Sequence, residues 1–436
     1  MLQTLRNAWK IEDLRKKILF TLLIVLLYRL GNAVPVPFVN VEALQQYFNA
    51  SNLQGTVFGL YNVMSGGAFS HATIFALSIQ PYINASIIIQ LLCIAIPALE
   101  RLQKEGGEEG RKKIASITRY ATVIIGLIQG FAYYMMLHNA STGFQIMNPD
   151  FVNNIWAAIV IILTFTSGSA LIMWLGEQIT EFGIGNGISI ILFTSIVARF
   201  PSDVAQQIQN VRNGSLPWWL LVLTYLGGLL LIVLIVLVND AERRIPVQYS
   251  KRVVGRKMYG GQSTHLPMKV NMSGVLPIIF AQSIATIPAT ICMFVTKWQE
   301  SWMMKNVFNT NTWPYAVIYL LLIVFFSYFY STIQFNPIEV ANNLKKNGGF
   351  IPGFRAGKPT SDFIQKVLNK ITLFGAIYLG IIAIVPIIVG MVSDVPALTG
   401  LSLGGTSIII VVGVALETVR ALEAQMVMRN YKGFLS

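Results

Sequence analysis

Ten apolar stretches, each long enough to cross a membrane as a helix, punctuate this 436-residue chain. They lie at about 18–34, 72–97, 119–138, 152–175, 184–200, 217–239, 275–295, 314–335, 371–392 and 403–422. A hydrocarbon core about 30 Å thick needs roughly 20 helical residues. Lipid offers no partner for unpaired backbone groups, so such stretches fold as helices, and none shows the polar and apolar alternation of a barrel strand. Only 12% of the residues are charged and 54% are hydrophobic, against about a quarter charged in soluble domains. The expected fold class is therefore an all-α integral membrane protein with ten transmembrane helices.

The first stretch runs straight into Pro35-Val36-Pro37 with no small-residue cleavage site, so it reads as a retained span. Cys93 and Cys292 both lie inside apolar runs and supply neither a disulfide framework nor a set of zinc ligands. In a soluble protein the net charge of +13 would point to nucleic acid; here its placement reads as topology. Lys and Arg gather before the first span, in the connections two–three, six–seven and eight–nine, and in the tail. The opposite connections carry only Arg199, Arg212, Lys297 and Lys305. The positive-inside rule then puts both termini in the cytoplasm.

Two of the basic connections, roughly 240–274 and 336–370, are far longer than the 2 to 8 residues usual between bundle helices. They carry Arg243, Arg244, Lys251, Arg252, Arg256, Lys257, Lys345, Lys346, Arg355 and Lys358. Two readings stand side by side: a topology signal with contact to membrane lipids, or a protruding basic surface for ribosomal RNA phosphates or a large soluble motor.

Pro81 separates a short apolar stretch, His71 to Gln80, from a full-length one, so the second span is expected to break into a short outer half and a longer inner half. Pro277, Pro288 and Pro386 mark further kinks. Before that span, Phe58 to Ala68 is apolar enough to be buried and too short to cross. A helix folded back into the protein and a helix lying on the membrane surface both fit, with Gly66 and Gly67 supplying a flexible return.

Chemistry-bearing motifs fail on context. Gly400-Leu-Ser402-Leu-Gly404 has nucleophile-elbow spacing but opens a membrane span instead of joining strand to helix. Gly353-Phe-Arg-Ala-Gly357-Lys358-Pro359 is one residue short of a phosphate loop and has proline where the metal-binding hydroxyl belongs. His71, His138 and His265 stand apart from one another, and Gly183-Ile-Gly185-Asn-Gly187 reads as a tight turn between helices. No cofactor or enzymatic activity is expected. Ionisable groups within the spans are few; the polar residues there are amides and hydroxyls, including Asn84, Ser86, Gln90, Gln129, Gln282, Ser283 and Thr286. Such groups bond between helices, or latch an interface that opens.

A series of segments is familiar in order and span location: Tyr28-Arg-Leu-Gly31 with Pro35-Val-Pro37, Met64-Ser-Gly-Gly-Ala68, Ile74-Phe-Ala-Leu77 through Pro81-Tyr-Ile-Asn-Ala-Ser-Ile87, Met173-Trp-Leu-Gly-Glu-Gln-Ile-Thr-Glu181, Gly183-Ile-Gly-Asn-Gly-Ile-Ser189, Gln262-Ser-Thr-His-Leu-Pro267, Lys269-Val-Asn271, Phe335-Asn-Pro337 and Gly404-Gly-Thr-Ser407. Over essentially the whole chain they resemble the bacterial SecY family of protein-export channels.

The resemblance implies two pseudo-symmetric five-helix halves, 1–200 and 201–436, around an hourglass pore. It places a pore ring at Ile79, Ile83, Ile188, Leu192, Ile279 and Ile410. A narrow aliphatic ring dewets against ions yet yields to any polypeptide, because it makes no sequence-specific hydrogen bonds. The segment 58–71, with Tyr61, Asn62, Val63, Met64, Ser65, Gly66 and Gly67, aligns with the family's plug. The lateral gate would lie between spans two and three and spans seven and eight, with Asn84, Gln90, Gln129, Gln282 and Ser283 as its candidates. Arg355 aligns with an arginine needed for SecA and ribosome contact. Expected partners are SecE, SecG, the SecA ATPase, ribosomes, the YidC insertase, secretory preproteins and their signal peptides. The short tails and lack of a transit peptide favour a bacterial plasma membrane. A secondary transporter of a small solute is the alternative, and it would call for buried ionisable residues at a midplane site.

Overall fold

The computed structural model describes residues 2–50, 57–249, 252–254, 257–259, 263–272, 274–294, 301–309, 312–392 and 404–432. In chain order the N-terminal half carries α1 Leu2–Lys10, α2 Glu12–Gly31, α3 Val41–Ala50, α4 Val57–Met64, α5 Gln80–Ala95, α6 Pro97–Lys104, α7 Gly107–Phe144, α8 Ile155–Phe182 and α9 Gly187–Arg212. The C-terminal half follows with α10 Trp218–Asp240, strands β1 Glu242–Tyr249, β2 Arg252–Val254, β3 Lys257–Tyr259 and β4 Ser263–Lys269, then α11 Leu276–Ala285, α12 Ile287–Phe294, α13 Trp302–Asn306 and α14 Trp313–Gln334. It ends with α15 Pro337–Lys346, β5 Gly349–Phe350, α16 Lys358–Val392 and α17 Gly404–Lys432.

Six of the described helices, α7 to α10, α14 and α16, are each long and apolar enough to cross a membrane unaided. The other expected spans fall on α2, α5, the α11–α12 pair and α17, and ten helices agree with the channel fold described below. α10 shows what lipid exposure does to a sequence: its mean hydropathy is 3.0 and only 6% of its apolar window is buried. It is apolar all round because most of its surface has nothing but hydrocarbon to meet.

Three expectations need correction. The outer half of the second span is not a helix; residues 65–79 run as successive turns, and α5 starts at Gln80 with Pro81 in its first turn, where the missing N–H costs nothing. The boundary at 200/201 falls inside a helix, because α9 continues through Pro201 to Arg212. Beyond the proline the sequence turns polar, so apolar length stops reporting it, while the Arg199–Asp203 pair at 3.0 Å, one turn apart, supports the extension. The connection expected over 336–370 ends early, since α16 begins at Lys358, well before its apolar part.

Breaks and turns have local causes. α5 meets α6 at 101° around Pro97, so α6 turns off the axis of the bundle. α11 stops at Ala285 and α12 restarts at Ile287 with Pro288 in its first turn, whereas Pro386 lies inside the continuous α16. The turn 183–186 is closed by Asn186, whose side chain accepts from Ile188 N and Ser189 N, and by Thr180 Oγ1, which accepts from Gly187 N at 2.9 Å. A Cβ at Gly187 would meet Gly176 O at 1.9 Å, so only glycine lets α9 begin against α8.

The two long basic connections form one body. β1 pairs antiparallel with β4 from Glu242–Lys269 to Gln248–Ser263, and β5, from the later connection, pairs with the other edge of β1 at Gln248–Phe350 and Tyr249–Gly349. Ile245, Val247 and Met268 bury against Ile351, Ile364 and Leu368 beneath this sheet. Asn336 caps α15 by accepting from Ile338 N and Glu339 N, which gives the Phe335-Asn-Pro337 segment its local purpose.

Candidate functional site

Among the described residues the halves meet where α5 packs against α11 and α7 against α12. Elsewhere they are joined where α17 packs against α9 and α1, with Thr4 Oγ1 donating to Glu423 and Lys17 to Gln425. The main hydrophobic cluster lies between the halves. It contains all six expected ring residues: Ile79, Ile83, Leu192, Ile279 and Ile410 are buried in it, and half-buried Ile188 packs against it. Ile79 is the residue before α5 and Ile83 lies one turn on, so both fall on one face.

Met64 buries into that same cluster. It ends α4, and the segment after it is folded in, with Tyr61, Asn62 and Ser65 all under a tenth exposed. Ser78 Oγ donates to Met64 O at 3.3 Å, Gln80 Nε2 contacts Met64 Sδ at 2.8 Å, and Asn32 Nδ2 donates to Ser65 O at 3.4 Å. Asn62 Oδ1 accepts from Ser70 N and Ser65 Oγ from Phe69 N, both at 3.0 Å. Gly66 has φ +67 and Gly67 φ +91, and a Cβ on Gly66 would meet Ser195 O at 2.8 Å, so the return needs glycine for both conformation and space. Val63 stays half-buried. Of the two readings open for this segment, burial favours the folded-in helix over one lying on the membrane surface.

Gln129 on α7 and Gln282 and Ser283 on α11 are buried, and Asn84 and Gln90 on α5 are half-buried. Gln90 Nε2 reaches Ser86 Oγ at 3.4 Å within its own helix. The side-chain oxygens of Gln90, Gln129, Gln282 and Ser283 make no hydrogen bond to any described residue. A buried polar atom without a partner costs about 1–3 kcal/mol. Those oxygens therefore add no hydrogen bond to the packing of α5, α7 and α11 among the described residues.

At the basic end, Arg243, Arg244, Arg355 and Lys358 are exposed on the sheet-bearing body, and Arg244 pairs with Glu242 at 2.7 Å. Arg252 and Lys257 lie in the paired strands β2 and β3; Lys251 and Arg256 lie outside the described residues. At the base of this body a cavity of about 230 Å³ opens between Lys269, Asn271, Gln334, Glu417 and Arg420. Arg420 donates to Asn239 O at 3.0 Å and to the Asp240 carboxylate, tying α17 to the C-terminal end of α10, just before β1. Sequence reading missed the joining of the two connections and this clamp, because their partners are far apart in the chain. The described residues hold no cluster of metal-ligating side chains.

Known proteins share this architecture. The SecY family model matches residues 73–419. The protein translocase subunit SecY of Streptomyces galbus is 47% identical and that of Streptomyces scabiei 44%, each alignment covering all of both chains. Among solved structures, a protein-conducting channel superposes with TM-score 0.66 at 15% identity over 95% of this chain and 93% of that one. A SecY protein whose plug domain stabilises the closed state gives 0.64 at 16%, over 95% and 92%. The channel of the canine ribosome–channel complex from the endoplasmic reticulum gives 0.61 at 14%, over 95% and 93%. With its sequence matched from end to end by these relatives, this chain belongs to the SecY family of protein-conducting channels.

Proposed function

We propose that this family member passes unfolded secretory polypeptides between its two halves and releases apolar segments sideways through the α5–α7 and α11–α12 seam. The observation that carries the residue assignment is the convergence of Ile79, Ile83, Ile188, Leu192, Ile279 and Ile410, from four separate helices, in one cluster with Met64. Aliphatic side chains seal against ions by excluding water and yield to a passing chain. In this reading the segment 58–71 is the plug. Gln90, Gln129, Gln282 and Ser283, with Asn84, line the lateral gate, where a signal peptide's apolar core of 7 to 15 residues partitions into lipid.

The sheet-bearing body faces the cytoplasm of a bacterial plasma membrane, with both termini on that side. Arg243, Arg244, Arg252, Lys257, Arg355 and Lys358 then form a docking face for the SecA ATPase and for ribosomal RNA phosphates; a structural neighbour caught on a ribosome supports the second partner. SecE, SecG and YidC complete the assembly. The chain acts as a conduit and draws its energy from these partners.

Disulfide crosslinking tests the pore. Single cysteines at Ile83, Ile188 and Ile279, in a background lacking Cys93 and Cys292, are expected to crosslink a stalled secretory precursor. Crosslinks elsewhere in the bundle would move the pore, and none anywhere would return the small-solute transporter. Arg355→Glu is expected to impair motor-driven export while the protein stays folded in the membrane; normal export would remove Arg355 from the docking face.

A further inference from the structure

The cavity at the base of the sheet-bearing body presents two charges that the protein leaves unmatched. Arg420, on its wall, is neutralised, because its Nη2 donates to Asn239 O and to the Asp240 carboxylate. Lys269, the last residue of β4, and Glu417, on α17, line the same cavity. Among the described residues neither forms an ion pair, with the other or with any third group. The backbone makes room for the carboxylate: Gly274 has φ +63, and a Cβ there would meet Glu417 Oε1 at 3.0 Å. Asn271 Nδ2 donates to Asn239 Oδ1 at 2.9 Å on the polar wall, while Val275 and Leu416 close the apolar side.

At about 230 Å³ the space between these groups is several times the share of about 30 Å³ that one water takes in the liquid. A simple anion drawn to Lys269 would meet the like charge of Glu417, and a simple cation drawn to Glu417 would meet Lys269. A ligand that carries both charges satisfies both groups at once. Height in the membrane says which such ligand is at hand. The apolar part of α10 stops at Val238 and that of α17 at Leu416, α14 ends at Gln334, and α11 begins at Leu276, so the cavity lies where four spans end. Just inside that level Leu237 is 65% and Ile333 43% exposed, as side chains in hydrocarbon are. The cavity therefore sits at the height of lipid headgroups.

We propose that it binds the headgroup of a zwitterionic phospholipid with a primary ammonium, phosphatidylethanolamine, the phosphate on Lys269 and the ammonium on Glu417. A primary ammonium donates three hydrogen bonds, whereas the quaternary ammonium of a choline headgroup donates none, so the site selects the first. The bound headgroup bridges the end of β4 to α17 and pins the sheet-bearing body to the bundle at the membrane surface. Nothing in this depends on where the pore runs.

Native mass spectrometry of the detergent-purified channel complex, titrated with phosphatidylethanolamine, phosphatidylcholine and phosphatidylglycerol of the same acyl chains, tests the site. Phosphatidylethanolamine is expected to bind about 5- to 20-fold more tightly than either of the others, the worth of a charge-assisted hydrogen bond. Glu417→Gln is expected to abolish that preference and Lys269→Met to weaken binding of all three lipids, while Glu423→Gln, further along α17, leaves the preference intact. A preference that survives both cavity substitutions puts the lipid elsewhere and overturns the proposal. So does tightest binding of phosphatidylglycerol to the unaltered complex, which would make the cavity an anion site. A second measurement needs no variant: hydrogen exchange at 269–272 is expected to be slower in nanodiscs containing phosphatidylethanolamine than in nanodiscs of phosphatidylcholine alone. Slowing by soluble phosphoethanolamine and not by the lipid would make the occupant a cytosolic solute, and slowing by neither would leave the cavity to water; either result overturns the lipid assignment.

Discussion

On α7 and α11, helices that meet α12 and α5, the buried side-chain oxygens of Gln129, Gln282 and Ser283 lie without partners among the described residues. Where β1 meets β4 and β5, a register continuous from Glu242–Lys269 to Gln248–Ser263 lies over an apolar core of Ile245, Val247, Met268, Ile351, Ile364 and Leu368. Both are meetings of distant chain segments, and their bonding is opposite. A sheet over a dry core has one good arrangement and resists deformation. An interface of aliphatic contacts and unpaired amides gains hydrogen bonds when it opens to water or to a passing backbone. On the function proposed above, the difference separates a part that keeps its shape under a docking partner from a part that comes undone.

The largest effect is expected on the rigid side. Met268 is fully buried beneath the sheet, and Met268→Asp forces a carboxylate into that core at a cost of roughly 3–5 kcal/mol. Hydrogen exchange across 242–249 and 263–269 is expected to lose protection while α7 and α8 keep theirs. Unchanged protection would mean that the two basic connections are not one body. The seam is expected to respond in the other sense. Gln282→Leu and Gln129→Leu replace orphaned amides by apolar groups of similar size, so each is expected to stabilise the closed seam by about 1–3 kcal/mol. The readout is a higher thermal midpoint together with slower opening by signal peptides. A lower midpoint would mean that water already satisfies those amides.

The contrast was only half legible in the sequence. Apolar length located the membrane helices because lipid imposes it. Helix ends were not legible where the sequence turns charged without stopping: α7 starts at Gly107, its first turns carried by pairs such as Lys112–Glu108 at 3.3 Å, and α16 starts at Lys358. The sheet escaped notice because β5 is two residues long and pairs with a strand some hundred residues earlier, a contact that leaves no periodicity. Gly187 and Asn186 were legible because a tight turn and a cap are local demands.

A smaller effect is expected at the clamp under the rigid body. The Arg420–Asp240 pair is partly exposed, so Arg420→Ala is expected to cost only about 0.5–1 kcal/mol and to loosen α17 from the base of β1. Faster hydrogen exchange at 239–242 checks it, and a collapse of the whole sheet would show that the clamp, and not the core beneath, holds the body in shape.

The smallest effect sets a baseline for both regions. Glu100 on α6 is held below the usual carboxylate range, first by the hydrogen bond from Lys104 Nζ at 2.6 Å and then by that ammonium's charge. A carboxyl lowered in the folded state contributes stability above its unfolded pKa and loses it as pH falls through the lowered folded value. Both side chains are well exposed and salt screens them, so the contribution is minor. Lys104→Ala is expected to return the Glu100 titration to the ordinary carboxylate range, read by NMR of labelled glutamate, with resting conductance unchanged across that pH interval. If conductance instead rises as Glu100 protonates, α6 contributes to closure of the seam, and the division between a seam held by packing and a surface held by charge is too sharp.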